Sequence, residues 1–454
     1  MQSLMTPAAP PRWNTLQILK ASRIALIALD ALLLIVAIAS AHVHRNAVKT
    51  VGVDSAPSII AAQHIKSALA DMDANAANEL LGAPGGSPEF VRAYETRRVE
   101  AAKALIAAAE NITYGDWERA PIQQLQVGLG TYERLIQRAR DLHERGDAQF
   151  VVAYRDAAAL MDRTLLPAAD ALDKANHDVL EQTYRSESGV SFWARALLLV
   201  TGLLALVALA AVQVFLSRRT RRTFNPLLVA ATVVALGALG YSNGAMTTAH
   251  RQLKVAKEDA FTSIHALWRA RAVSYWANAD ETRYLLDQAH APEHQRNFLA
   301  KSTQLAQLPP GMRPGDVATA EQGNVHPEGF SGYLADELRN ITFDGEREAA
   351  VGTLLRFEEY LAIDRTIRGL EQEGKHKEAI ALCIGANQGD SNWAFDRFDK
   401  ALDATLAINQ AAFDAAVHDG LATFDRIDLI LSVMAGAIAV LIFLGLAVRI
   451  REYQ

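Results

Sequence analysis

The sequence predicts an all-α membrane protein, with four transmembrane helices and two duplicated extracytoplasmic helical bundles (four-helix-bundle-like). Three observations predict it. Apolar residues make up 50% of the 454-residue chain and gather in four long runs. Lys and Arg cluster at the ends of those runs that share one side of a membrane. The two long polar stretches between the runs have helical periodicity and repeat each other's landmarks.

Taken in order, residues 1–23 form an N-terminal segment with Arg12, Lys20 and Arg23, and the first span is 24–41. At about 1.5 Å per residue, about 20 residues cross a hydrocarbon core of about 30 Å. Asp30 lies within this run, where an unpaired carboxylate costs about 2.5–3.5 kcal/mol near the bilayer centre. It is therefore expected to face the helix bundle as an intramembrane polar group. "AIASAH" offers Ala39, Ser40 and Ala41 as a small-residue cleavage site, so a cleaved signal peptide is the alternative for this span, although Asp30 is foreign to a signal core.

Residues 42–195 form the first polar segment, 196–216 the second span, 217–225 a short basic loop, 226–246 the third span, 247–428 the second polar segment, 429–448 the fourth span and 449–454 the tail. The loop begins "SRRTRRTFN", with Arg218, Arg219, Arg221 and Arg222, and the tail has Arg449 and Arg451. Short cytoplasmic flanks retain positive charge. Both termini and the loop are thus expected in the cytoplasm, and both polar segments outside the plasma membrane. The polar segments are acidic: residues 46–190 hold 15 basic and 21 acidic side chains, and 251–425 hold 18 and 27. That balance argues against nucleic acid as a partner. The loop arginines are candidates for contact with anionic lipid or a cytoplasmic effector.

The segments share phrases. "NITYGDWERA" at 111 answers "NITFDGEREA" at 340; Tyr132 and Gly146 answer Tyr360 and Gly374; "DMDANAANELL" at 71 answers "SYWANADETRYLL" at 274. Span, polar segment and span form the repeated unit. Leu125, Leu129, Tyr132, Ile136 and Ala139 recur at helical spacing, as do Leu354, Phe357, Tyr360, Ile363 and Ile367. The second copy has an extra stretch, 308–332, whose Pro and Gly predict an irregular, dispensable loop.

Catalytic spacing is lacking: no His-Glu-x-x-His, phosphate loop, Cys pair or nucleophile elbow occurs. The reading is a non-enzyme with no cofactor and no metal. The lone Cys383 reads as a small buried apolar residue. Candidate ligand- or partner-binding residues come from the repeated phrase: Asp73 and Asn75 in the first copy, and Asn278, Asp280, Glu281 and Arg283 in the second. Asp280 and Arg283 are three apart and can pair on one helical face. That face is expected to be solvated, so the pair should contribute little to folding. In "GDSNWAFDRFDKALD", Asp390, Ser391 or Asn392 is expected to start a helix.

"SALADMDANAANELLG", "RARAVSYWANADETRYLLD", "RRTFNP", "NITF" and "GDSNWAFDRFDKALDATLAINQAAFD" resemble a family of bacterial four-span membrane proteins, common in actinobacteria. That family includes the GlnX-type protein, encoded beside an amino-acid-binding lipoprotein and a soluble Ser/Thr kinase. The resemblance implies a relay in which the lipoprotein reports extracellular Asp or Glu to this protein, which informs the kinase. The other readings are a structural or assembly scaffold of the envelope without a switch and, more weakly, a transporter.

Overall fold

The computed structural model describes residues 14–110, 112, 115–220 and 225–452. Arg12, Arg221 and Arg222, and Asn111 of the first repeated phrase, lie outside the described residues. Among the described residues there is no β-strand, only an isolated antiparallel bridge between Gln307 and Ser331.

Among the described residues, four helices are long and apolar enough to cross a membrane: Thr15–Leu81, Gln149–Arg219, Pro226–Leu286 and Ser391–Arg451. The first comprises α1 (Thr15–Lys49), a π-helical stretch (Thr50–Ser55) and α2 (Ala56–Leu81). Two shorter helices follow, α3 (Pro88–Glu110) and α4 (Asp116–Glu144). The second comprises α5 (Gln149–Leu160), a π turn (Met161–Leu165) and α6 (Leu166–Thr220). The third runs through α7 (Pro226–Lys254), a π stretch (Val255–Phe261) and α8 (Thr262–Leu286). There follow α9 (Ala291–Leu305), α10 (Pro314–Gln322), α11 (Tyr333–Arg339), α12 (Glu346–Gln372) and α13 (His376–Ile384). The chain ends with α14 (Ser391–Ala422) and α15 (Ile427–Arg451), separated by a turn in which Arg426 is left-handed at φ 63°.

The chain divides into two compact units. One gathers Met1–Lys49, Tyr184–Leu253 and His418–Gln454. Its core is Leu19 and Leu26 from α1, Leu209 and Leu216 from α6, Leu228, Ala231 and Ala235 from α7, and Ile438, Ile442 and Leu446 from α15. The opposite faces leave Ile35, Leu203, Val233 and Val433 more than half exposed, the pattern expected where hydrocarbon is the solvent. Asn225 closes the bundle at one end: its amide donates to the Gly445 carbonyl at 2.8 Å, and its side-chain oxygen accepts from the Leu227 N–H at 3.1 Å. Asp30 is only 7% exposed and faces inward, as its insertion cost requires. It borders a cavity of about 20 Å³ beside Ser242 and Ile438, roomy enough for about one water.

The other unit gathers Thr50–Thr183 with Lys254–Val417, so helices from both polar segments form one body. This differs from the division into two bundles at 42–195 and 247–428. The reason lies in α2 and α8, which pack along each other. Both are buried nearly all round, including Gln63, Lys66, Asp71, Asp73 and Asn78 on α2 and Asn278, Asp280, Glu281 and Arg283 on α8. Helices of this kind have no solvated face to separate two cores. Phe357 and Tyr360 of α12 meet Phe395 and Phe398 of α14 with ring centroids 5.3 Å apart in both cross-helix pairs.

The expectation of a structureless stretch at 308–332 is corrected. Pro314 opens α10, and the Arg313 N–H donates to the Asp316 carboxylate at 2.8 Å. Val317, Ala318 and Phe330 are buried, and α10 packs on α12. Proline starts this helix because its missing N–H falls where no helical partner exists.

Candidate functional site

The candidate site grows from one guanidinium. Arg283 on α8 is 1% exposed, a position an arginine occupies only when its charge and donors are matched. It donates to Asp73 on α2, to Asp162 in the π turn after α5 at 2.9 Å, to Asp280 one turn back at 3.0 Å, and to the Tyr154 hydroxyl at 3.2 Å. Tyr132 of α4 donates to the other Asp73 oxygen at 2.8 Å. Lys301 of α9 pairs with Asp280. Arg155 of α5 forks onto Asp287 at 2.7 and 2.8 Å.

Charge and burial compete at each group. Burial acts to raise the Asp280 pKa, but His294, Arg283 and Lys301 overcome it and hold the carboxyl at about 2. Burial raises the Asp73 pKa despite the pull of Arg283. Burial disfavours the Arg283 cation, yet Asp162 and Asp73 outweigh it and drive the pKa well above the usual value. His294 stands between two carboxylates, Nδ1 3.6 Å from Asp280 and Nε2 3.7 Å from Asp287, and among the described residues neither ring nitrogen has a hydrogen-bond partner. Arg283, Asp162, Lys301, His294 and Asp287 border a cleft of about 530 Å³.

A second cluster lies along the same two helices. Thr282 donates to the Asn78 side chain at 2.6 Å and approaches the Cys383 sulfur at 3.8 Å. Glu281 accepts from Ser391 at 2.8 Å and Tyr360 at 3.2 Å, while its other oxygen has no partner among the described residues. Burial and the nearby Asp364 lift its pKa to about 8. Asn278 reaches Glu281 and the Tyr360 hydroxyl, each at 3.4 Å. Ser391 stands at the start of α14, as expected, but turns its hydroxyl inward to Glu281.

Asp73, Asp280 and Arg283 are therefore brought together, and Asn278 and Glu281 meet in the neighbouring cluster. Asn75 joins neither; it bonds back to Asp71 on its own helix at 2.6 and 2.8 Å. The expected solvated ion pair is corrected: Asp280 is 0% exposed, on a helix that packs against α2 and α9. Sequence reasoning missed Asp162, Tyr154, Arg155, Asp287 and Lys301. The available signal was Tyr132 and Tyr360, matched landmarks whose hydroxyls each bond a buried acid on the first polar helix of their own segment. Arg218 and Arg219 are exposed near the end of α6.

Residues 47–185 match a family model described as an actinobacterial sensor domain. The matched segment contains Asp73, Tyr132, Tyr154, Arg155 and Asp162; Asp280, Arg283, Asp287 and Lys301 lie beyond it. The Arg283 cluster thus joins the matched segment to the second half of the chain. No curated protein and no solved structure matches the chain.

Proposed function

We propose that this chain is a non-enzymatic transmembrane sensor whose polar unit lies outside the cytoplasm and passes a conformational signal to the spans. The observation that carries this reading is the buried charge cluster on α2 and α8, each of which belongs to a helix that also holds an apolar, span-length stretch. Several carboxylates around one desolvated guanidinium make an arrangement in which small displacements change the electrostatic energy steeply. A rigid helix is a direct route for such a displacement. The sensor-domain match supports the same class of role.

In the finer form suggested by the family resemblance, a solute-binding lipoprotein presents Asp or Glu availability to the polar unit. The arginine-rich cytoplasmic loop and ends then inform a Ser/Thr kinase. The duplicated phrases suit this reading, since two related halves give two helices that can shift against each other. The experiment uses a cysteine pair at His42 and Asp428, whose side chains lie 3.2 Å apart, in a Cys383→Ser background. Disulfide formation between α1 and α15 should change rate when cells are given Asp or Glu. An unchanged rate would contradict the relay and favour a constitutive scaffold of the envelope.

A further inference from the structure

A second cleft, of about 640 Å³, lies between α2, α3 and α8, separate from the Arg283 cluster. Its apolar lining is Ile60, Ala61 and Ala104 with the rings of Trp268 and Tyr275. The His64 ring lies 3.9 Å from Trp268, extending the aromatic wall. The lining also carries three cations, Arg97 and Lys103 from α3 and Arg271 from α8. Carboxylates hold both guanidiniums: Arg97 donates to Asp71 and, at 2.7 Å, to Glu100, while Arg271 donates to Asp403 at 2.9 Å and Asp399 at 2.8 Å. A guanidinium has five N–H donors; these bonds use two on each, so both arginines keep donors for a further acceptor.

We propose that this cleft binds a small monocarboxylate with an apolar or aromatic body. Arginine recognises a planar carboxylate with paired donors, and two arginines on different helices can share one. The volume suits a small organic molecule rather than a polymer, since ligand clefts run from about 300 to 1,000 Å³. In the lining itself three cations, Arg97, Lys103 and Arg271, stand against two carboxylates, Asp71 and Glu100, a surplus of one positive charge that suits a monocarboxylate and disfavours a phosphate dianion, while Asp399 and Asp403 hold Arg271 from outside the lining. The aromatic wall does not await a cation, because the Arg271 guanidinium already lies 5.4 Å from the Trp268 ring centroid. The ligand would bridge α3, within the matched sensor segment, to α8, outside it. This gives the sensor a ligand of its own and goes beyond the relay, on whose partners it does not depend.

The test uses the full chain in lipid nanodiscs, with phenylacetate as the probe, tryptophan fluorescence as the readout, and acetate, phosphate and benzylamine as comparisons. Phenylacetate is expected to saturate, with weaker responses from the other three. Arg97→Gln and Arg271→Gln should each weaken it by about tenfold or more, the scale of a lost charged hydrogen bond. Lys103→Gln, an exposed position chosen to leave folding intact, should weaken it less. Trp268→Phe, read by calorimetry, should retain binding, and Trp268→Ala should lose most of it. No saturable phenylacetate binding, equal binding of benzylamine, or affinity unchanged in both arginine variants and in Trp268→Ala would each overturn the site. Binding to purified protein is measured without lipoprotein, kinase or added Asp or Glu, so failure of the relay leaves this result interpretable.

Discussion

At the scale of single residues, Arg283 decides how the polar unit is read. A solvated Asp280–Arg283 pair would be worth about 0–1 kcal/mol. In their buried setting, removing the cation takes the ionic partner from Asp73 and Asp162 while Asp280 keeps Lys301, and breaking a buried pair costs about 3–5 kcal/mol. Arg283→Ala is accordingly expected to lower the stability of the polar unit by about that amount, measured by chemical denaturation of the full chain in detergent. A variant as stable as the parent would contradict the burial of this cluster. The residue types were legible in the sequence and their setting was not. Asp280 and Arg283 stand three apart, a spacing that an exposed pair and a buried one share, and their other partners, among them residues 73, 154, 162 and 301, are distant in the chain.

At the scale of elements, the spans were legible because their signal is local. A run of about 20 apolar residues needs no distant partner to declare itself, and Asp30 announced its inward orientation through its cost. By contrast, α2 and α8 are buried nearly all round by helices from both segments, so their polar residues imitate a solvated face. α10 was hidden by the prolines and glycines around it, although Pro314 at a helix start was a usable sign. The α11–α12 junction gives a prediction of its own. Glu337, 1% exposed, faces Glu346 and accepts from Asn409 at 3.1 Å. Glu346 accepts the Thr342 and Phe343 N–H groups at 2.6 and 2.9 Å. Burial, then the Glu346 charge, lift the Glu337 pKa from 4.5 to about 8. Between those values the folded chain holds a proton that the unfolded chain releases. Stability is therefore fully present below 4.5 and declines as pH rises to about 8, by up to about 1.4 kcal/mol per pH unit for one proton. Glu337→Gln keeps the neutral form, so its stability relative to the parent should rise steadily from pH 5 to pH 8. A difference independent of pH would contradict the buried acid.

At the scale of the whole molecule, the central claim is that the two polar segments form one body, clamped where the matched sensor segment meets the second half. The ionic contacts of Arg283 and Asp287 make that claim concrete, because each joins residues far apart in the chain. A sensor built this way has no independent halves, and a change in either segment is felt across the α2–α8 contact. The most direct measurement places cysteines at Arg155 and Asp287 in a Cys383→Ser background, with a protease site inserted in the 217–225 loop. Membranes are treated with a short bis-maleimide and then cleaved. The account predicts that the two halves stay covalently joined under denaturing conditions. Separation of the halves, with both cysteines still reacting with a monofunctional maleimide, would show two independent bundles and contradict it.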